Sequence, residues 1–224
     1  MISTVLLLAL ASMGHGENEP PTFTTHDVST NVDGARCVFA VDLDADGDMD
    51  IISGEIFDDT ISWYKNNGEA NPTFTRIVIS SVGHPGGVFA ADMDGDGDVD
   101  IVCASYGDNT VAWYENNGAA NPSWTKSVIV SNADGAISAY AADMDGDGDM
   151  DIISASGLDH TIAWYENNGA ANPTFTKSVI VSNADGAISV YVADMDGDGD
   201  MDIVSASQHD DTIAWYENNG ASDP

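Results

Sequence analysis

Apolar positions along this chain fall in short runs separated by polar turns, and no stretch keeps the spacing of an amphipathic helix. One stretch shows the pattern well. Val88 to Ala91 is a small apolar run that enters an aspartate-rich loop, and Ile101 to Ala104 is a second run that leaves it. Thr110-Val-Ala-Trp-Tyr-Glu115 is rich in β-branched and aromatic residues and predicts a third strand. Asn116-Asn117-Gly118 then supplies turn residues, Asn121-Pro122 bars further ladder pairing, and Trp124 to Val130 predicts a fourth strand.

The same unit recurs. Aspartate-rich loops begin at Asp42, Asp92, Asp143 and Asp194, at spacings of 50, 51 and 51 residues by subtraction. Trp63, Trp113, Trp164 and Trp215 keep the same spacings, so no insertion has slipped one motif against the other. Four strands in about fifty residues, repeated in tandem, predict an all-β fold, a β-propeller of four-stranded blades spanning residues 22–224. The tryptophans, one per blade, are expected to pack between sheets. Thr22 to Val28 reads as the fourth strand of a blade, whereas the last copy is read only as far as its third strand. That phase predicts a ring closed by the N-terminal strand; the alternatives are part of a longer array, or pairing with another copy.

Charge changes the picture. The 224 residues carry 38 acidic groups against 5 Lys and Arg, a formal net charge of -33. Ordered runs such as Ile51-Ile52 and Trp63-Tyr64 argue against a disordered acidic tail, so a folded state must tolerate this charge, and bound cations provide the means. A nucleic-acid partner needs a basic stripe that is absent here, and an anionic membrane surface is disfavoured for the same reason. Val5 to Ala11 is apolar but too short to span a bilayer, and with the small residues Gly14 and Gly16 it predicts a secretory signal over residues 1–16 and no membrane anchor. Cys37 and Cys103 occupy non-equivalent places and are expected as free thiols rather than a bridge.

The chemistry lies in the loops. The first reads Asp42, Asp44, Asp46, Asp48 and Asp50 at alternate positions, with Gly47 sixth. The second carries Asp92, Asp94, Asp96, Asp98 and Asp100, the third Asp143, Asp145, Asp147, Asp149 and Asp151, and the fourth Asp194, Asp196, Asp198, Asp200 and Asp202. Carboxylates at positions 1, 3 and 5 converge when such a loop coils round a hard cation; position 7 offers its backbone carbonyl, and position 9 can close the shell. An all-oxygen donor set suits calcium better than zinc or copper. The twelfth position is Ser53, Cys103, Ser154 or Ser205, not the bidentate Glu of an EF-hand.

This arrangement resembles the FG-GAP and VCBS-like repeats of integrin-alpha-type propellers, although no Phe-Gly or Gly-Ala-Pro landmark is present. The resemblance implies calcium in hairpin loops at the blade rim, held by the aspartates just named. Two functional classes follow. One is a secreted, non-catalytic binding or adhesion scaffold for a protein or glycan; the other is an extracellular polysaccharide-acting enzyme on a propeller platform. An active site needs unique residues, and the near-interchangeable copies supply no nucleophile with a base, which favours the scaffold. The copies differ mainly at Glu55 to Asp59, Tyr106 to Asn109, Gly157 to His160 and Gln208 to Asp211, loops expected on one face and hence the expected contact surface.

Overall fold

The computed structural model describes residues 21–221; the apolar run read as a secretory signal lies outside them. Among these described residues, fifteen strands form four antiparallel sheets, one per copy. The first sheet is β1 (Ala35–Val41), β2 (Asp50–Glu55), β3 (Thr60–Asn66) and β4 (Phe74–Ser81), paired in chain order. The second is β5 (Pro85–Ala91), β6 (Asp100–Ser105), β7 (Thr110–Asn116) and β8 (Trp124–Val130). The third is β9 (Ala136–Ala142), β10 (Asp151–Ser156), β11 (Thr161–Asn167) and β12 (Phe175–Val181). The fourth has three strands, β13 (Ala187–Ala193), β14 (Asp202–Ser207) and β15 (Thr212–Tyr216).

Successive sheets stack as propeller blades, because alternation within each strand gives every blade two apolar faces that must both be covered. Ile61, Trp63 and Leu43 of the first blade pack against Val88, Ile101 and Tyr114 of the second. Val111, Trp113 and Met93 meet Ala139, Ile152 and Tyr165 of the third, and Ile162, Trp164 and Met144 meet Val190 and Ile203 of the fourth. The first strands lie innermost, and one aromatic ring from each packs at a tilt against the next. Ring centroids are 4.7 Å apart for Phe39 and Phe89, 4.4 Å for Phe89 and Tyr140, and 5.0 Å for Tyr140 and Tyr191.

The ring expected from the N-terminal strand is not formed. Thr22 to Val28 adopts no strand, and Phe23 is 94% exposed. A local sequence able to form a strand needs a sheet edge within reach, and β15 takes no fourth strand among the described residues. The fourth blade accordingly presents a face that its predecessors bury. Trp215 is 47% exposed where Trp63, Trp113 and Trp164 are at most 4%, and Ile213 is 82% exposed where Ile61, Val111 and Ile162 are fully buried. Three of the four tryptophans thus pack between sheets as expected, and the fourth does not. Cys37 and Cys103 are free thiols, also as expected.

The opposite end of the array is closed by polar groups. Glu55, fully buried, accepts hydrogen bonds from Ser53 (2.8 Å), Thr60 (2.8 Å), Ser62 (3.1 Å) and Tyr64 (2.6 Å), and is bonded to Arg76. Burial alone would raise this carboxyl, but Arg76 and the hydroxyls outweigh it and hold it at about 2. The later copies carry Ser105, Ser156 and Ser207 at this position, so the network belongs to the first blade alone and acts as an end cap.

The open fourth face separates two equivalent substitutions. Ile162→Ala should cost about 2–5 kcal/mol in chemical denaturation, and Ile213→Ala less than about 0.5 kcal/mol. Equal costs would show that the fourth face is covered in solution.

Candidate metal centres

Each aspartate-rich loop joins the first and second strands of its blade, and its first carboxylate folds it. Asp92 accepts the amides of Gly95 (2.8 Å) and Gly97 (3.0 Å); Asp143 accepts those of Gly146 and Gly148, and Asp194 those of Gly197 and Gly199. The sixth residue has φ between 94° and 102° in all four loops, a conformation open to glycine, which explains Gly47, Gly97, Gly148 and Gly199.

Coiling the chain this way brings three carboxylates together in every loop, with one oxygen from each lying within 4.8 Å of the others. The groups are Asp42, Asp44 and Asp50; Asp92, Asp94 and Asp96; Asp143, Asp145 and Asp147; and Asp194, Asp196 and Asp202. The fifth position joins the group in two loops and the ninth in the other two. Asp48, Asp98, Asp149 and Asp200, at position 7, stand outside these groups and lie against Gly68, Gly118, Gly169 and Gly220 of the Asn-Asn-Gly turns. Burial, and after it the neighbouring carboxylates, raise Asp94 and Asp145. Crowded hard oxygens of this kind fit a hard divalent cation.

The ninth aspartate has a further task, which its reading as a ligand missed. Asp100, 1% exposed, accepts the Asn116 amide at 2.7 Å through Oδ1 and the Met93 amide at 3.0 Å through Oδ2. Asp50, Asp151 and Asp202 repeat the arrangement with Asn66 and Leu43, Asn167 and Met144, and Asn218 and Met195. Each therefore pins its loop to the end of the third strand.

The asparagines carry the link onward. Asn116 Nδ2 donates to the Leu43 carbonyl of the preceding blade at 3.2 Å, Asn167 Nδ2 to Met93 at 2.9 Å, and Asn218 Nδ2 to Met144 at 2.7 Å. Aspartate, loop amide, loop carbonyl and asparagine thus form one hydrogen-bonded belt running through all four loops. The Asn-Asn-Gly triplets were read as turn residues only. The signal for more was that the first Asn keeps the loop's own spacing.

The variable loops gather at another site. Ile56, Tyr106, Leu158 and His209, one from each blade, line a single cavity of about 380 Å³ together with Arg36 and His84. The last residues of these loops, Asp59, Asn109, His160 and Asp211, all have φ between 52° and 57°, which restricts that position to residue types tolerant of the left-handed region. Asp59, Asn109 and His160 also accept amides of the next blade, from His84 (2.9 Å), Gly135 (2.9 Å) and Gly186 (3.1 Å).

Burial pushes the Asp100 carboxyl up to about 7 and the Asp151 carboxyl to about 6, against the pull of the amides that donate to them. A carboxyl raised by folding contributes stability below its unfolded value near 3.8, and that contribution is lost as pH rises through the folded value. The melting temperature in chelator should therefore fall between pH 4 and pH 7. A cation favours the ionised carboxylate, so saturating calcium should remove the decline; parallel curves with and without calcium would contradict the assignment.

Comparison with known proteins accords with the repeat. A profile of FG-GAP-like repeats matches residues 42–103, 92–154 and 144–205, which together span more than half of the chain. No curated protein is significantly similar in sequence. Among solved structures, an Agrocybe aegerita lectin described as recognising non-reducing terminal N-acetylglucosamine aligns with a TM-score of 0.53 at 21% identity, covering 83% of this chain and 50% of that one. The V. cholerae biofilm matrix protein Bap1 aligns at 0.50 and 25% identity, covering 84% and 27%. BBS1N, solved in complex with ARL6DN, aligns at 0.54 and 12% identity, covering 86% and 60%. The chain thus spans less than two thirds of each of these structures. The three tandem matches make the chain a member of the FG-GAP-like repeat family.

Proposed function

We propose that this protein is a secreted, calcium-loaded, non-catalytic scaffold that binds a protein or glycan partner through the mouth formed by its variable loops. The observation that carries this reading is the division of labour between two sets of loops. The Asp loops are nearly invariant along the chain and occupied with their own internal bonding, whereas the second-to-third-strand loops differ in every copy and converge on one cavity. Repetition suits a structural metal site, and departure from repetition suits recognition.

The mouth has the composition of a recognition site. Ile56 and Leu158 supply apolar surface, Tyr106 a flat ring, and Arg36, Gln208 and His209 polar groups. Where an Asp loop holds a metal, calcium is the cation we assign, since a flexible all-oxygen loop fits its larger shell better than that of magnesium. The likeness to a biofilm matrix protein is in keeping with an extracellular, adhesive role. Secretion rests on the apolar run of residues 5–11 and its small-residue flank.

A screen of glycans and extracellular proteins against the calcium-loaded chain is expected to yield a partner whose binding is lost in chelator. Tyr106→Ala and Leu158→Asp should each weaken that binding at least about tenfold, a loss of roughly 1.4 kcal/mol, without changing calcium stoichiometry. Binding that survives both variants would place recognition elsewhere.

A further inference from the structure

The first Asp loop differs from the other three at a residue outside the loop. Lys65, next to the end of β3, stands where the later copies carry Glu115, Glu166 and Glu217. Its ammonium is hydrogen-bonded to Asp44 and lies 3.3 Å from Asp46. Lys65 for Glu changes the local charge by two units in the direction that a bound cation would.

The loop's internal bonding departs from the repeat at the same place. In the later loops the fifth residue's amide donates to the third residue's carboxylate: Asp96 to Asp94 at 3.3 Å, Asp147 to Asp145 at 3.2 Å, and Asp198 to Asp196 at 3.2 Å. In the first loop that amide, of Asp46, donates instead to Asp42 at 3.1 Å, and Asp44 is engaged by Lys65. The fourth residue is Ala45 at φ 55°, where the others are glycines at 73°, 76° and 83°. The Asp44 side chain is 1% exposed and its Oδ1 has no hydrogen-bond partner, so the ammonium on Oδ2 is what balances the charge of this carboxylate.

We propose that Lys65 is a built-in counterion: the first loop is closed by an ammonium and takes no calcium, while the second, third and fourth loops take one ion each. This rests on the reading of the later loops as calcium sites. An ammonium held against Asp44 and Asp46 repels a divalent ion from the carboxylates that would ligate it, and, being tethered, it is always present at high effective concentration. The blade that carries the polar end cap therefore also carries its own cation, and its order is independent of calcium.

Equilibrium dialysis of the full chain with calcium tests this. The expected stoichiometry is three, rising to four in Lys65→Glu; the reciprocal change Glu115→Lys should lower it to two. In chelator, Lys65→Glu should melt below the parent chain, because the first loop then has no cation. A parent stoichiometry of zero would overturn the calcium reading and this inference together. Four ions in the parent, or three in both the parent and a Lys65→Glu shown to be folded by circular dichroism, would overturn the role of Lys65 alone. If Lys65→Glu does not fold, Glu115→Lys decides: an unchanged three would contradict the proposal.

Discussion

The rest of the structure depends on the buried carboxylate that ends each Asp loop. Asp100 shows why: one oxygen accepts the amide at the end of β7, the other accepts the amide that opens the loop, and the whole group is 1% exposed. A blade built only from paired strands would leave the loop free to swing. The carboxylate fixes it, and the loop so fixed offers its Met93 carbonyl to Asn167 of the next blade. Apolar packing between blades gives most of the burial energy but is non-directional; the belt sets the position of one blade on another.

The cost of this device is charge. Each loop needs several carboxylates close together, and the chain carries a formal net charge of -33. Two ways of tolerating it coexist in one molecule. In the first loop Lys65 balances Asp44, and Arg76 balances Glu55 on the outward face of the same blade. The later loops have Glu where the lysine stands, which deepens their negative potential and fits them to a divalent cation. The cavity lined by the variable loops lies apart from this charge, since the aspartate-rich loops make no contribution to its lining.

Much of the fold was legible because the repeat supplies four readings of one pattern. Trp124 to Val130 was expected as a strand and is β8 at the same bounds, and Thr110 to Glu115 falls one residue short of β7. The convergence of carboxylates was legible from alternation and the sixth glycine. Contacts between distant residues were not. Asn116 reaches Leu43 across 73 positions, and a turn motif gives no sign of what its side chain meets in another blade. Trp215 shows the converse: its sequence context matches that of Trp164, yet burial is a property of neighbours, and its neighbour is missing among the described residues. The loop sequence by itself gives no sign of Lys65, which shows only as a lysine at the spacing where the other three copies carry glutamate.

The central claim is that cations in the later loops secure the belt that holds the blades together. Amide hydrogen exchange at neutral pH, followed residue by residue with and without calcium, tests it most directly. The account predicts that Met93, Asn116, Met144 and Asn167 slow together when calcium is added, while Leu43 and Asn66 of the lysine-closed first loop exchange at the same rate in both conditions. Exchange at Met93, Asn116, Met144 and Asn167 that is indifferent to calcium would contradict it.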